Sequence, residues 1–334
     1  MRKIVGVGLI GLGVFGIVLA ILLPTVVVHA SSKTPLDLNI TQVSSGSAKL
    51  LDAATGKTNT VQLRATRHVR TDSHASDDDN TTVFETLCIV VVRGDTPNCL
   101  PASDPRLLSI TTDRVTADRR SGESVHVAKY NENINGKAAR HQGMSYKFPI
   151  DTKKKTYQFF QPDVGKAFPA TFEGTAKVRG LDTYKFVSRT GSQPYKILGT
   201  LPGTYDDTRT VYVEPQTGTI VNGTERQIQT LASGEVALDT TLAFEDSAVK
   251  YQTDYAQSKI DDLRLAKLWA PLVAGIVGVL AIVFGILLLR RGRKAGPDGE
   301  GHHRGDAGGP DGGPGYGTPD QSGQQPSYSG SSHT

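Results

Sequence analysis

The chain has 334 residues, 37% of them hydrophobic and 21% charged, with a formal net charge of +4 at pH 7. Residues 31–267 hold 30 basic and 28 acidic side chains, so this stretch lacks the basic excess typical of nucleic-acid binding. We therefore expect no nucleic-acid partner.

The first predicted element is a transmembrane helix over the uncharged run Ile4–Val28, after a short cytoplasmic N-terminus of residues 1–3. About 20 apolar residues cross the hydrocarbon core as a helix, because the bilayer offers no water to satisfy an open backbone. Small residues ending at Ala30 form an acceptable signal-peptide cleavage site, but the run exceeds the roughly 7–15 residues of a signal-peptide core. We interpret the segment as an uncleaved signal anchor, with cleavage after Ala30 as the alternative.

Residues 31–267 have the pattern of an antiparallel β domain. Apolar residues come in short alternating runs bounded by Gly, Pro, Asn and Asp, and helical periodicity is sparse. The sequence thus predicts an α+β fold that is mainly β, as one large domain or two smaller ones. The predicted strands cover residues 36–40, 61–64, 83–92, 107–115, 124–130, 170–178, 183–188, 208–213, 219–230 and 235–244.

Cys88 and Cys99 are the only cysteines of the chain. They bracket a Gly-Asp-Thr-Pro-Asn turn signal and fall in the stretch that we place outside the cytoplasm, an oxidising setting. Their spacing is typical neither of a CxxC redox pair nor of a metal site. The sequence predicts a structural disulfide across a hairpin.

The second transmembrane helix is predicted over residues 268–289, entered from a helical segment, Asp254–Lys267. The tail of residues 290–334 is rich in Gly, Pro, Ser and Gln, so it is predicted to be disordered. Basic residues flank each apolar run on the side nearer the chain terminus. Arg2 and Lys3 precede the first run, and further basic residues follow the second run in the first residues of the tail. The positive-inside rule then places both termini in the cytoplasm and residues 31–267 outside the plasma membrane.

Small residues recur in both apolar runs. Ala270, Ala274 and Gly278 form a small-xxx-small series, and Gly16 with Ala20 gives the first run a similar step. Such residues let helix backbones approach closely. The series favours either packing of the two helices against each other or formation of a homo-oligomer.

We find no motif that predicts catalysis, a cofactor or a metal. Residues 54–58 resemble the end of a phosphate-binding loop but lack its leading glycine, so we interpret them as a β-turn. The histidines have no HxH or HExxH spacing, and there is no GxSxG elbow. We expect a protein that is not an enzyme.

Several segments resemble an actinobacterial family catalogued as a domain of unknown function and also named the porin PorA family. They are residues 113–116, His141–Tyr157, the pair 172–174 and 180–186, and Val211–Gly218, which reads VYVEPQTG. The resemblance extends over almost the whole chain, including both apolar runs. It implies an actinobacterial envelope protein and supplies no catalytic residues.

Three functions are compatible with these patterns. A β-barrel porin needs many strands with an outward apolar band, whereas two helical spans would line a channel only in an oligomer. The Gly-Leu-x-x-Tyr strand at residue 180, followed by VYVEPQTG, also resembles lipid carriers of the LolA type, whose curved sheet cups an acyl chain. The sequence favours a binding or scaffold module; a lipid-handling protein and a porin-like channel are the alternatives, with a lipid or an envelope protein as partner.

Overall fold

One long antiparallel sheet lies between the two terminal helices. This computed structural model describes residues 2–31, 33–52 and 54–291, with the backbone alone for residues 23–31. The helices are α1 (Arg2–Ser31), α2 (Asp246–Arg264) and α3 (Ala270–Arg291). The strands are β1 (Asn39–Asp52), β2 (Lys57–Asp72), β3 (Asn80–Val92), β4 (Leu107–Asp118), β5 (Asn133–Ile134), β6 (Lys137–Ala138), β7 (Tyr157–Gln161), β8 (Lys166–Val178), β9 (Leu181–Arg189), β10 (Gln193–Ile197), β11 (Leu201–Glu214), β12 (Thr219–Leu231) and β13 (Val236–Phe244).

In the described part of the chain, thirteen strands form a single sheet in the order β6-β5-β4-β3-β2-β1-β13-β12-β11-β9-β8-β7, with β10 paired to β11. Every pair is antiparallel, and most neighbours are joined by hairpins. The pairing of β1 with β13 joins the two ends of the domain. The predicted fold, mainly antiparallel β between two apolar helices, is confirmed. We call β1–β13 together with α2 the β domain.

The sheet curls back on itself. Isolated bridges pair Ala117 at the end of β4 with Ser124, Glu123 with Met144, and Met144 with Phe159 of β7. The two sides of the sheet are thus linked through a connecting loop, which encloses an interior as in a barrel.

His141 fixes that connecting loop. Its ring is fully buried, with Nε2 2.7 Å from Asp113 Oδ1 and Nδ1 3.3 Å from Glu132 Oε2. The ring also packs on Phe160 of β7, with 4.5 Å between ring centroids. Burial lowers the pKa of His141, but the two carboxylates outweigh it and the net shift is upward.

The two terminal helices pack against each other. Both are long and apolar enough to cross a membrane. A Cβ built at Gly16 would lie 3.1 Å from Ala274 O, and one at Gly278 would lie 2.7 Å from Gly13 O. Ala274 and Gly278 of the small-residue series therefore contact α1 of the same chain; the role of Ala270, Ala274 and Gly278 in a homo-oligomer stays a prediction.

Helix α2 leads directly into the second apolar helix. The segment Leu265–Trp269 between α2 and α3 is π-helical, so the chain is helical from Asp246 to Arg291. The predicted helical segment that runs into the second apolar helix is present, and it begins eight residues earlier than Asp254. The predicted disordered tail falls, apart from Arg290 and Arg291, on residues outside the described part.

Cys88 and Cys99 form a disulfide, as predicted. Cys88 lies in β3, and Cys99 lies in the loop that precedes β4 rather than in the opposite strand. With Val90 and Leu100, the buried Cys88 forms a small apolar cluster. The bridge therefore ties a long loop to the sheet.

Most predicted strands are present, with three differences. The strand predicted over residues 124–130 is wrong, because Ser124 makes only an isolated bridge and Ala128–Tyr130 is a 3-10 turn. The strand predicted over residues 36–40 begins only at Asn39. The short strands β5, β6, β7 and β10 were not predicted, since their apolar runs are too brief to show a period.

Candidate functional site

A cavity of about 410 Å³ lies between the inner face of the sheet and helix α2. Strands β1, β2, β3, β11, β12 and β13 contribute inward-facing residues, and α2 covers the space with Gln252, Tyr255 and Leu263. Its volume falls within the range of about 300–1,000 Å³ found for small-molecule sites. It is the candidate functional site of the protein.

Much of the wall is apolar. Val211 and Ile220 line it, and neighbouring strands add further aliphatic and aromatic groups. The apolar lining includes Ile40, Val69, Leu87, Ile89, Leu242 and Phe244. Such a surface is suited to a hydrocarbon portion of a ligand, because its burial there removes apolar area from water.

Five ionisable side chains form a second part of the wall, which we call the charged wall: Arg67, Glu85, Asp163, Arg209 and Glu225. Arg67 Nε lies 3.4 Å from Glu85 Oε1, and Arg209 Nη2 donates to Glu225 Oε1 over 2.9 Å. Both arginines lie deep in the domain, yet the side chains of Arg67 and Arg209 are 23% and 12% exposed. This exposed surface faces the cavity. Charged groups are thus placed beside an apolar surface.

Protonation within the charged wall is uneven. Burial raises the pKa of Glu85 and of Asp163. Burial would also raise that of Glu225, but Arg209 and Arg67 lower its pKa below the ordinary value. The wall therefore offers carboxyl groups that differ in their ability to donate and accept hydrogen bonds.

Behind the wall lies a further acid, Asp207, which burial and the neighbouring Glu225 raise to a pKa of about 8. Gln161 Nε2 donates to Asp207 Oδ2 over 2.9 Å, and no cation pairs with this carboxyl within hydrogen-bond distance among the described residues. Asp207 is therefore held neutral near pH 7.

Two buried polar atoms of cavity-lining residues, Ser145 Oγ and Gln252 Oε1, have no hydrogen-bond partner in the described part of the protein. Leaving a buried polar group unpaired costs about 1–3 kcal/mol. Both atoms are themselves buried, so a molecule in the cavity would reach them only after a local rearrangement.

Residues 214–218 of the VYVEPQTG motif form a turn at the edge of the cavity. The buried Glu214 carboxylate accepts hydrogen bonds from Gln216 N (2.9 Å), Thr217 N (2.8 Å) and Thr217 Oγ1 (2.7 Å). Gly218 has φ 72°, and a Cβ there would lie 2.1 Å from Phe148 O. The motif that carried the family resemblance thus shapes the cavity wall through Gln216, Thr217 and Gly218.

The chain segment that follows α1 forms another edge. We call residues 33–38 the strap. Thr34 N donates to Arg119 O and Arg119 Nε donates to Thr34 O, both over 2.8 Å, while Lys147 Nζ donates to Thr34 Oγ1 over 2.9 Å. Burial lowers the pKa of Lys147 to about 7. The strap is held to the β domain by backbone and side-chain contacts together.

No metal site accompanies the cavity among the described residues, where no three His, Cys, Asp or Glu side chains are grouped to hold an ion. The disulfide of Cys88 and Cys99 lies outside the cavity lining. The structure therefore does not bring the one predicted site pair to the candidate site, and that pair has a structural role.

Sequence reasoning missed the charged wall, although a signal was present. Arg67 lies between Ala65 and Val69 on the same face of β2, and Glu85 is in register with Val69. In a half-buried strand, charged residues occupy the solvent face and apolar residues the inner face. A charged residue on the inner face therefore indicates an interior that is not filled by apolar side chains alone. The several such positions belong to different strands, and only the fold brings them together.

Comparison with known proteins identifies the family. A profile of the family described as Porin PorA matches residues 5–287. The chain belongs to this family. The PorA family relatives include a protein named Porin PorA from Corynebacterium amycolatum, 24% identical over 383 residues that cover 85% of this chain and 98% of that protein. A second Porin PorA, from Corynebacterium resistens, is 24% identical over 415 residues, 88% of this chain and 98% of that protein.

The family match includes both apolar helices, since it begins at residue 5 and ends at residue 287. The resemblance carried by residues 141–157 and 211–218 is confirmed. Membership in the PorA family, together with the two apolar helices, associates the chain with a membrane.

Proposed function

We propose that the β domain binds an amphiphilic ligand of the lipid class in its cavity, outside the plasma membrane in which α1 and α3 anchor it. The observation that carries the proposal is the composition of one cavity wall: aliphatic strands such as those bearing Val69 and Leu87 adjoin the charged wall of Arg67 and Glu85. A ligand with a hydrocarbon portion and a polar group matches both surfaces at once.

The position of the helix supports the same function. α2 covers the cavity with Gln252 and Tyr255 and continues into the apolar helix α3. The ligand site is thus built on an element that is tied to the membrane, where lipids are the abundant amphiphiles.

The proposed topology rests on two features of the chain. Arg2 and Lys3 begin α1, whereas Arg290 and Arg291 end α3, as expected for two cytoplasmic flanks. The disulfide of Cys88 and Cys99 suits an oxidising compartment. Labelling of single introduced cysteines at Asp78 and at position 294 with a membrane-impermeant maleimide in intact cells tests it: only the first should react.

The lipid function is tested by native mass spectrometry of the full chain, followed by extraction and analysis of the bound molecules. The wild type should retain an acyl-containing ligand, and Leu87→Trp should reduce the retained amount at least fivefold because the indole takes up space that the hydrocarbon portion would occupy. Thr86→Trp is the matched control, since Thr86 is adjacent in β3 but does not line the cavity. A ligand-free wild type, or equal ligand in the two variants, would overturn the proposal.

A porin-like channel is a second candidate, favoured by the name of the family and of its relatives. The packing of Gly13 against Gly278 pairs the helices within one chain, so conduction would require several such pairs around a pore. Full chain in planar bilayers would show discrete conductance steps, and silence at high protein load would remove this candidate. A scaffold role predicts reproducible crosslinks from the β domain to an envelope protein.

A further inference from the structure

The end of the cavity lined by Leu263 of α2, which we call the lower end, lies close to the membrane surface. Trp269 is the only tryptophan of the chain, is 60% exposed and lies directly before the apolar helix α3. Tryptophan is enriched at the interface between lipid and water, so its position marks the membrane boundary. Arg264 and Lys267 precede it, as expected for a segment among lipid headgroups.

The cavity reaches that boundary along α2. Leu263 lines the cavity six residues before Trp269, which corresponds to a rise of about 9 Å along a helix. The headgroup layer on each side of the hydrocarbon core is about 5–8 Å thick. The end of the cavity at Leu263 therefore lies at the outer edge of the headgroups.

The opposite edge also comes directly from the membrane. The strap begins at Lys33, two positions after the end of α1, and Pro35 and Leu38 of the strap line the cavity. Because Thr34 is held by Arg119 and Lys147, this edge is fixed to the β domain. The lower end of the cavity thus lies between two segments that each lead into the bilayer.

Residues at this end both line the cavity and face outward. The side chains of Lys259 and Asp262 on α2 are 40% and 64% exposed, yet both belong to the cavity wall. On the opposite side, Leu38 is half-buried and also lines the cavity. A wall residue that keeps this much exposure stands at an opening.

We propose that the cavity opens between the strap and the last two turns of α2, and that the ligand passes through this opening to and from the membrane leaflet on the side of the β domain. Asp262 lies at the outer edge of the lipid headgroups and Lys259 about one helical turn farther from the membrane, while Leu38 and Leu263 provide an apolar surface for an acyl chain at the opening. This inference rests on the proposed lipid-binding function and adds the source of the ligand.

The test uses full chain in vesicles of phosphatidylethanolamine and phosphatidylglycerol in a ratio of 3:1. Diazirine-acyl phosphatidylglycerol is delivered to the leaflet from cyclodextrin, ultraviolet flashes are given at increasing times, and crosslinks to cavity peptides of β2 and β3 are counted by mass spectrometry. Lys259→Trp should slow the appearance of these crosslinks at least tenfold by obstructing the opening.

Lys250→Trp is the matched control. Lys250 lies on the same helix, is exposed, and pairs with Asp254 much as Lys259 pairs with Asp262, but it does not line the cavity. Its rate should stay within twofold of the wild type. Equal rates for Lys259→Trp and the control would overturn the proposed opening while lipid binding stands. Absence of cavity crosslinks in the wild type at all times would instead remove the lipid-binding function.

Discussion

Gly13 of α1 and Gly278 of α3 face each other so closely that neither position has room for a side chain. A Cβ built at Gly13 would lie 2.5 Å from Gly278 O, and a Cβ at Gly278 would lie 2.7 Å from Gly13 O. Close backbone approach of this kind is a general basis of helix association in membranes. The contact joins the two ends of the chain and requires that both helices be present.

We expect Gly13→Leu to separate the two helices, because Leu would collide with backbone atoms of α3. The measurement uses the background Ala20→Cys/Gly275→Cys, whose Cβ positions lie 3.8 Å apart, the usual spacing in a disulfide. Maleimide labelling should show an oxidised pair in the background and at least fivefold less with Gly13→Leu. Gly11→Leu is the control, since a Cβ at Gly11 meets nothing within 4 Å.

The same labelling tests the fate of the first helix. A chain cleaved after Ala30 would have lost the cysteine at position 20 and would carry one reactive thiol that no oxidant protects. An oxidised pair would therefore support the uncleaved signal anchor.

The Asp207 carboxyl, whose pKa is about 8 in the folded protein against an ordinary 3.8, should make stability depend on pH. From about pH 4 to pH 8 the unfolded chain loses this proton while the folded chain keeps it, so the free energy of unfolding falls as the pH rises. The Asp207→Asn variant lacks this titrating group, so its free energy of unfolding should not fall in this way. The Tm of the variant relative to that of the wild type should therefore increase between pH 4 and pH 8, by about 2–4 °C for each kcal/mol of difference in the free energy of unfolding. Thermal unfolding at pH 5 and pH 8 measures it, and Asp206→Asn is the neighbouring control. A constant difference at both pH values would contradict the prediction.

His141 should also make the free energy of unfolding fall as the pH rises. Its pKa is raised by Asp113 and Glu132 against the effect of burial, so its stabilising contribution is complete below about pH 6.5. The contribution is lost as the pH rises through the folded pKa. His141→Ala should cost about 3–5 kcal/mol at pH 5.5, because it leaves two carboxylates without their cation. Urea unfolding at pH 5.5 and pH 9 should show a smaller cost at the higher pH, whereas the exposed His74→Ala should change little at either.

The stability of the protein should be sensitive to the replacement of one carboxylate oxygen of Glu214 by an amide nitrogen. Its buried carboxylate accepts three hydrogen bonds from the turn at Gln216 and Thr217, and an amide would present a donor to at least one of these donors. We expect Glu214→Gln to lower the free energy of unfolding by about 1–3 kcal/mol. Urea unfolding measures the loss, with the exposed Glu235→Gln as control. Equal stabilities of the two variants would show that the turn does not depend on the carboxylate.

The parts of the structure that could be predicted are those set by nearby residues. The strand over residues 83–92 was predicted from a run of β-branched residues and lies within β3. The failure at residues 124–130 has the same origin: its apolar residues alternate as in a strand, but Val125 N donates to Thr116 O and the chain then turns at Ala128–Tyr130. A local pattern gives no information about which partner strand is available.

The sequence by itself determined the two apolar helices, the predominance of β structure and the pairing of Cys88 with Cys99, because each depends on composition or spacing within a short window. Only the tertiary structure decided that α2 covers a cavity and that Arg67, Glu85, Arg209 and Glu225 meet on its wall. Those four side chains come from two strand pairs, β2 with β3 and β11 with β12, that are far apart in the sequence. Their meeting depends on the register and curl of the whole sheet, which no short segment encodes.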